Sequence, residues 1–129
     1  MEHQRDVLII ETEPAIRDEI RNLCRELGCR VQVASEDALW DLAPAAAGFD
    51  LAIIEWERWQ AKQPIEGAAT VLPARPPVVV VTQLNEDADW TKALEAGAFD
   101  IVEPPDHPFA RKEFQRVVAL ALNRSALPA

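Results

Sequence analysis

The chain has 129 residues, 49% hydrophobic and 27% charged, which is the size and make-up of one globular domain. A formal net charge of −9 repels phosphate backbones and anionic lipid headgroups, so direct nucleic-acid contact and membrane-surface binding are not expected. No apolar run is long enough to span a bilayer or to act as a signal-peptide core behind the polar residues 1–6, and a cytoplasmic location is the expectation.

The first apolar run, Val7, Leu8, Ile9 and Ile10, has strand length and β-rich composition. Pro14 suits the first turn of a helix, and Ile16, Ile20, Leu23 and Leu27 then recur on one helical face until Gly28 stops it. Cys24 and Cys29 are the only cysteines. With no CxxC motif and no cluster of His with Cys, they read as two small, reduced, buried side chains rather than zinc ligands. Val31 and Val33 alternate with Gln32 in a weaker second strand. Ser35, Glu36 and Asp37 resemble the start of a short second helix carrying Leu39, Leu42 and Ala43, with Trp40 at the edge of the core.

Leu51, Ala52, Ile53 and Ile54 form a third strand. Residues 56–77, with Gly67 and several prolines, have a weak apolar pattern and accommodate at most a short helix near 67–72. Val78 to Val81 is the clearest strand in the sequence. A helix is expected over 87–96, with Trp90, Ala93 and Leu94 on one side and Gly97 as its stop. Phe99 to Val102 is the fifth strand, ended by Pro104 and Pro105. Residues 110–124 form the last helix, with Phe114, Val118, Ala121 and Leu122 on its apolar stripe. The domain is therefore expected over 1–124, with 125–129 a tail or the start of a linker to an output domain.

Apolar strands alternating with helices predict a parallel sheet covered on both faces. Chemistry in such sheets gathers at the carboxyl ends of the strands. Those ends carry Glu11, Thr12 and Glu13, then Glu55, Trp56 and Glu57, then Thr82 and Gln83, then Glu103 with the two prolines. Glu11 and Glu55 are expected to be neighbours. Such a pair either holds a hard cation such as Mg²⁺ or simply solvates the ends of buried strands. No glycine-rich phosphate loop is present, which argues against a nucleotide or flavin binder.

These segments, in this order, resemble the receiver domain of bacterial response regulators. The run from Val7 to Pro14 is similar to the receiver opening, where two acidic residues follow the first strand. Asp50 to Glu55 is similar to the strand that ends in the phosphoacceptor aspartate. Pro77 to Thr82 is similar to the strand that ends in the signalling Thr or Ser. Gly97 to Pro105 is similar to the segment that normally ends in Lys-Pro. The resemblance covers nearly the whole chain apart from residues 56–77. It implies a flavodoxin-like (βα)5 fold, a five-stranded parallel sheet of order 2-1-3-4-5 with helices on both faces, the third helix being short or irregular. It also implies a role in two-component, or phosphorelay, signal transduction rather than an enzymatic one.

The chain departs from the family's pattern where the chemistry sits. The phosphoacceptor position holds Glu55, whose carboxylate lies about 1.5 Å, one carbon–carbon bond, beyond that of an aspartate. In-line phosphoryl transfer tolerates such displacement badly. The acidic pair is reduced to Glu11 and Thr12, so any Mg²⁺ site, if built from Glu11 and Glu55, is weak, and no cofactor is expected. Pro104 replaces the lysine and removes a positive charge from the pocket. Of the switch positions, Thr82 is retained and Ile101 replaces the usual aromatic residue. Gln83 is bulkier than the small residue the family favours there. Pro105 is the expected position of the family's cis peptide bond.

The expectation is therefore a degenerate receiver that is not phosphorylated and acts as a protein–protein interaction or dimerisation module for an output domain or partner. Glu55 acting as a fixed mimic of a phosphorylated aspartate is the variant of this reading that is less favoured. The alternative is an active, Mg²⁺-dependent phosphoacceptor using Glu55 or a nearby carboxylate. The resemblance places the interaction surface on the fourth helix, fifth strand and last helix, with Trp90, Arg111, Lys112 and Arg116. Leu120 lies off the apolar stripe of the last helix and is either a self-association contact or an ordinary surface leucine. Trp56 and Trp59 are either a binding hot spot or a cover for the core. His3 and His107 are expected at the surface.

Overall fold

In the computed structural model, residues 4–33, 49–56, 77–82, 91, 94 and 98–126 are described, the side chains of 124–126 excepted. The strands are β1 (Asp6–Ile10), β2 (Arg30–Val33), β3 (Leu51–Glu55), β4 (Val78–Val81) and β5 (Asp100–Val102). Two helices are complete among the described residues, α1 (Pro14–Glu26) and, closing the chain, α2 (Pro108–Ala126). The strands form one sheet in the order β2-β1-β3-β4-β5, and every pairing is parallel. This is the expected flavodoxin-like order.

The alternation of side chains along each strand sorts the apolar residues into two layers. Val7, Ile9, Leu51, Ile53, Val79, Val81 and Val102 face α1 and α2, and pack there with Ile20, Leu23, Phe114, Val117 and Val118. Leu8, Ile10, Ala52, Ile54, Val78 and Val80 build the opposite layer with Trp56 and Ala98. β3 and β4 are buried at every position, as continuous apolar runs in a parallel sheet should be. β2, at the edge, alternates between exposed and half-buried.

Trp56 corrects one of the alternatives left open by the sequence. It is 4% exposed and follows Ala52 and Ile54 in the period-two row of the second layer, so it packs in the core and is not a surface contact. Trp59 and Trp90 lie outside the described residues, as do Trp40, the helix expected from Ser35, and residues 57–76. Of the helix expected over 87–96, Thr91 and Leu94 are helical. β5 begins at Asp100 rather than Phe99. α2 starts two residues earlier than expected, at Pro108, because proline fits a first helical position and His107 before it caps the helix. The His107 Nδ1 accepts from the amide of Ala110 at 3.2 Å. The helix continues to Ala126, past the expected domain end at 124.

The turn out of α1 fixes where β2 begins. The amide of Gly28 donates to the Arg25 carbonyl at 2.9 Å, and that of Cys29 donates to the Cys24 carbonyl at 3.1 Å. This is the Schellman pattern, and it needs a left-handed residue, supplied by Gly28 at φ 83°. Leu27, expected on the buried face, is 38% exposed, because the helix has ended and Cys24 takes the inward position. Cys24 and Cys29 are buried free thiols. Burial, with Cys29 adding to it, pushes the Cys24 thiol up to about 12. Burial likewise raises the Cys29 thiol.

α1 and α2 are tied to one another beside the shared core. Arg111 Nε lies 2.7 Å from Glu19 Oε1, and Gln115 Nε2 donates to the Leu23 carbonyl and to Glu26 Oε1. Two tests follow. Nothing lies within 4 Å of a Cβ built on Gly28, so Gly28→Ala should cost about 1 kcal/mol of unfolding free energy from backbone conformation alone; urea titration measures it. The two thiols should resist a colourimetric thiol reagent in the native state and react fully once the chain is unfolded.

Candidate functional site

The register brings the expected residues to one end of the sheet. Ile10 pairs with Ile54, so Glu11 and Glu55 follow side by side on adjacent strands. Glu55 pairs with Val81 and Val81 with Val102, which sets Thr82 and Glu103 at the same end. Glu11 and Glu55 continue the rows Val7-Ile9 and Leu51-Ile53, so both carboxylates emerge from the layer that faces α1 and α2. Each is only 8% exposed, and Thr82 is 5% exposed.

A carboxylate that is so far withdrawn from water requires donors. For Glu55 they come from Thr12, in the turn after β1. The Thr12 hydroxyl lies 3.0 Å from Glu55 Oε1 and 2.9 Å from Oε2, and the Thr12 amide donates to Oε2 at 3.3 Å. Thr12 thus holds the Glu55 carboxylate. Glu11 Oε2 accepts from the amide of Glu13 at 3.2 Å, which helps to shape the same turn into Pro14. Thr82 is fastened to the next strand through its amide, which donates to the Val102 carbonyl at 3.0 Å.

Pro104 is buried. Ile101, opposite Val80 in the register, is half-buried and packs on the second layer. Pro105 is buried, but the expected cis bond before it is absent: every peptide bond among the described residues is trans, the form an X–Pro bond favours by about 0.5–1 kcal/mol without a tertiary constraint. Glu103 is exposed and lies 3.7 Å from His107 Nε2.

Among the described residues no group of three or more His, Cys, Asp and Glu side chains could hold a metal ion. A divalent cation such as Mg²⁺ binds through carboxylates and water in near-octahedral geometry. Here one of the two carboxylates already accepts hydrogen bonds at both oxygens, and the third position offers a neutral hydroxyl. These residues do not fit a tightly held Mg²⁺.

Two features were not read from the sequence. Thr12 was recognised as a missing charge and not as a donor. The available signal was a hydroxyl one residue past the level at which the two glutamates meet. Phe109, 73% exposed on the first turn of α2, was assigned to no helix because the expected start at 110 lay beyond it. Leu120 is 48% exposed, as both of its readings require.

No family model matches the chain. In an alignment of 132 residues it is 33% identical to the protein-glutamate methylesterase/protein-glutamine glutaminase 1 of Myxococcus xanthus, covering 96% of this chain and 33% of that protein. The chain thus spans about a third of the length of this curated relative. Among solved structures, it resembles a response regulator protein from Burkholderia multivorans at 24% identity and TM-score 0.60, covering 98% of each chain. A two-component response regulator from Clostridium difficile is 20% identical at TM-score 0.70, with 96% of this chain and all of that one (100%) covered. The signal receiver domain of NarL from Mycobacterium tuberculosis is 20% identical at TM-score 0.67, with 95% and 98% covered. No described helix is long and apolar enough to cross a membrane.

The hold on Glu55 is measurable. Thr12→Val keeps the side-chain shape and the amide bond but removes the hydroxyl. It should lower the unfolding free energy by about 1 kcal/mol, the usual worth of a partly exposed hydrogen bond to a charged group. The same substitution on a background of Glu55→Gln should cost less, and a double-mutant cycle in urea reads the difference.

Proposed function

We propose that this chain, which has the fold of response-regulator receiver domains, is an atypical receiver that works without phosphorylation, as a fixed interaction module in two-component signalling. The observation that carries this is the contact between Thr12 and Glu55. At the acceptor position a longer carboxylate is bonded to a neutral side chain at the place where the family keeps a metal-binding acid.

Phosphoryl transfer depends on positioning and on neutralising the charge that builds up on the transferred group. Glu55 places its oxygens about 1.5 Å beyond an aspartate's, which moves the nucleophile off the attack line. The positive charge that would stabilise the transferred group is replaced by Pro104, a buried ring without a donor. Thr12 supplies no charge for a cation, while its hydroxyl and amide occupy the carboxylate that would have to attack. An aliphatic side chain at Ile101, already packed on the second layer, replaces the aromatic ring that transmits the family's switch. Output would then come from the surface of the domain, through a partner or an output domain, in a cytoplasmic signalling protein.

Incubation of the purified chain with a small phosphodonor and Mg²⁺, followed by intact-mass measurement, tests this. No gain of one phosphate is expected. A gain that Glu55→Gln abolishes would show an active phosphoacceptor instead. As a converse, Thr12→Asp combined with Glu55→Asp and Pro104→Lys should confer Mg²⁺-dependent labelling where the parent chain shows none.

A further inference from the structure

Cys24 and Cys29 stand at the two ends of the longer hydrogen bond of the Schellman turn that closes α1. The amide of Cys29 donates to the Cys24 carbonyl at 3.1 Å, and adding the covalent lengths on either side leaves the two Cα atoms no more than about 7 Å apart. Bends along that path bring them closer. Disulfides span Cα separations of about 4.4–6.8 Å. Side chains at these two positions of the motif pack on one another. Here both are free thiols, both lie in the same core layer, and a charge on Cys29 is felt at Cys24.

The two thiols are not equivalent. Cys24 is fully buried, while Cys29 keeps 4% of its surface. Arg5 lies beside Cys29, because the amide of Arg30, the next residue, donates to the Arg5 carbonyl at 2.8 Å. The Arg5 charge favours a thiolate at Cys29, against burial and the carboxylates of Asp50 and Asp6. At Cys24, burial and Cys29 both oppose ionisation. Cys29 is therefore the sulfur that a small solute reaches first and that has a cation at hand, and Cys24 waits behind it.

We propose that Cys24 and Cys29 form a peroxide-oxidisable dithiol that closes to a disulfide within the native fold. The Cys29 sulfur attacks one oxygen of hydrogen peroxide, the O–O bond breaks, and Cys29 becomes a sulfenic acid as one water leaves. The Cys24 sulfur then bonds to the Cys29 sulfur, and the hydroxyl departs with the Cys24 thiol proton as a second water. In sum the two thiols give up two hydrogens and two electrons, and the peroxide is reduced to two waters. The second step joins groups already held in contact, so the sulfenic acid does not accumulate. Burial makes the first step slow and excludes bulky thiol reagents, but it admits a peroxide. The pair sits before the first residue of β2, at the end of the sheet opposite Glu55, and its chemistry does not depend on whether the domain is phosphorylated.

The native full chain is exposed to millimolar hydrogen peroxide, quenched with catalase, unfolded in iodoacetamide and digested with trypsin. Cleavage after Arg21, Arg25 and Arg30 puts the two cysteines on separate peptides, 22–25 and 26–30. These should be recovered joined, from a chain that runs as a monomer on a non-reducing gel, and dithiothreitol should release them. With dimedone present during exposure, Cys24→Ala should be labelled at Cys29, whereas Cys29→Ala should carry no label at Cys24. The bridged chain should unfold at a higher urea concentration than the reduced one, since the closed ring restricts the unfolded chain. Peptides 22–25 and 26–30 recovered separately alkylated would overturn the proposal. So would a bridge between chains, a dimedone label on Cys24 or none on Cys29, or a bridged chain that unfolds at lower urea than the reduced one.

Discussion

Glu55 closes a strand that is buried at each of its positions. A carboxylate carried on such a strand leaves the core with little access to water, and an unbonded charge there is too costly to keep. In a sheet of this kind the donors must come from loops at the same end, because the strand's own amides are used in the ladder. The turn after β1 is one of these, since β1 and β3 are paired up to Ile10 and Ile54. Thr12 meets the requirement with a hydroxyl and an amide. The same contact joins the two central strands at their carboxyl ends and sets the path of the chain into Pro14 and α1.

The rest of the architecture supports that end without altering it. The Schellman turn at Gly28 brings the chain directly from α1 into β2, and Cys24 and Cys29 pack as small apolar groups at the join. Phe114, fully buried, seats α2 against β3, β4 and β5 through the same layer from which Glu11 and Glu55 emerge. Where a switching domain would need an aromatic side chain with two positions, Ile101 is branched, short and already in contact with the second layer. A β-branched residue has few rotamers to exchange, so this position favours one state.

The strands were legible because a parallel sheet covered on both faces writes itself as unbroken apolar runs, and Val78 to Val81 is the plainest example. The order of the sheet was not in those runs; it came from the likeness of the strand-end residues to a known pattern. The helix over Pro14–Glu26 was read from its spacing, yet Leu27 was placed on the wrong side, because periodicity does not show where a helix stops and the glycine after it turns left-handed. Trp56 was ambiguous for a related reason. Taken with Trp59 it suggested a surface pair, whereas taken with Ala52 and Ile54 it continues a strand face. The acceptor position and its departures were visible as residue types. That Thr12 bonds Glu55 was not, since it depends on which loop donor reaches a buried carboxylate.

A receiver that works without phosphorylation, as proposed, would have to carry information by another route. A rigid domain can respond only through what binds to it, and a ligand shifts an equilibrium only by its differential affinity for the two states. For a fixed receiver, the available states are monomer and dimer, or free and docked. Docking of a partner or an output domain would supply such an equilibrium, because its balance depends on local concentration and on competition for the same surface.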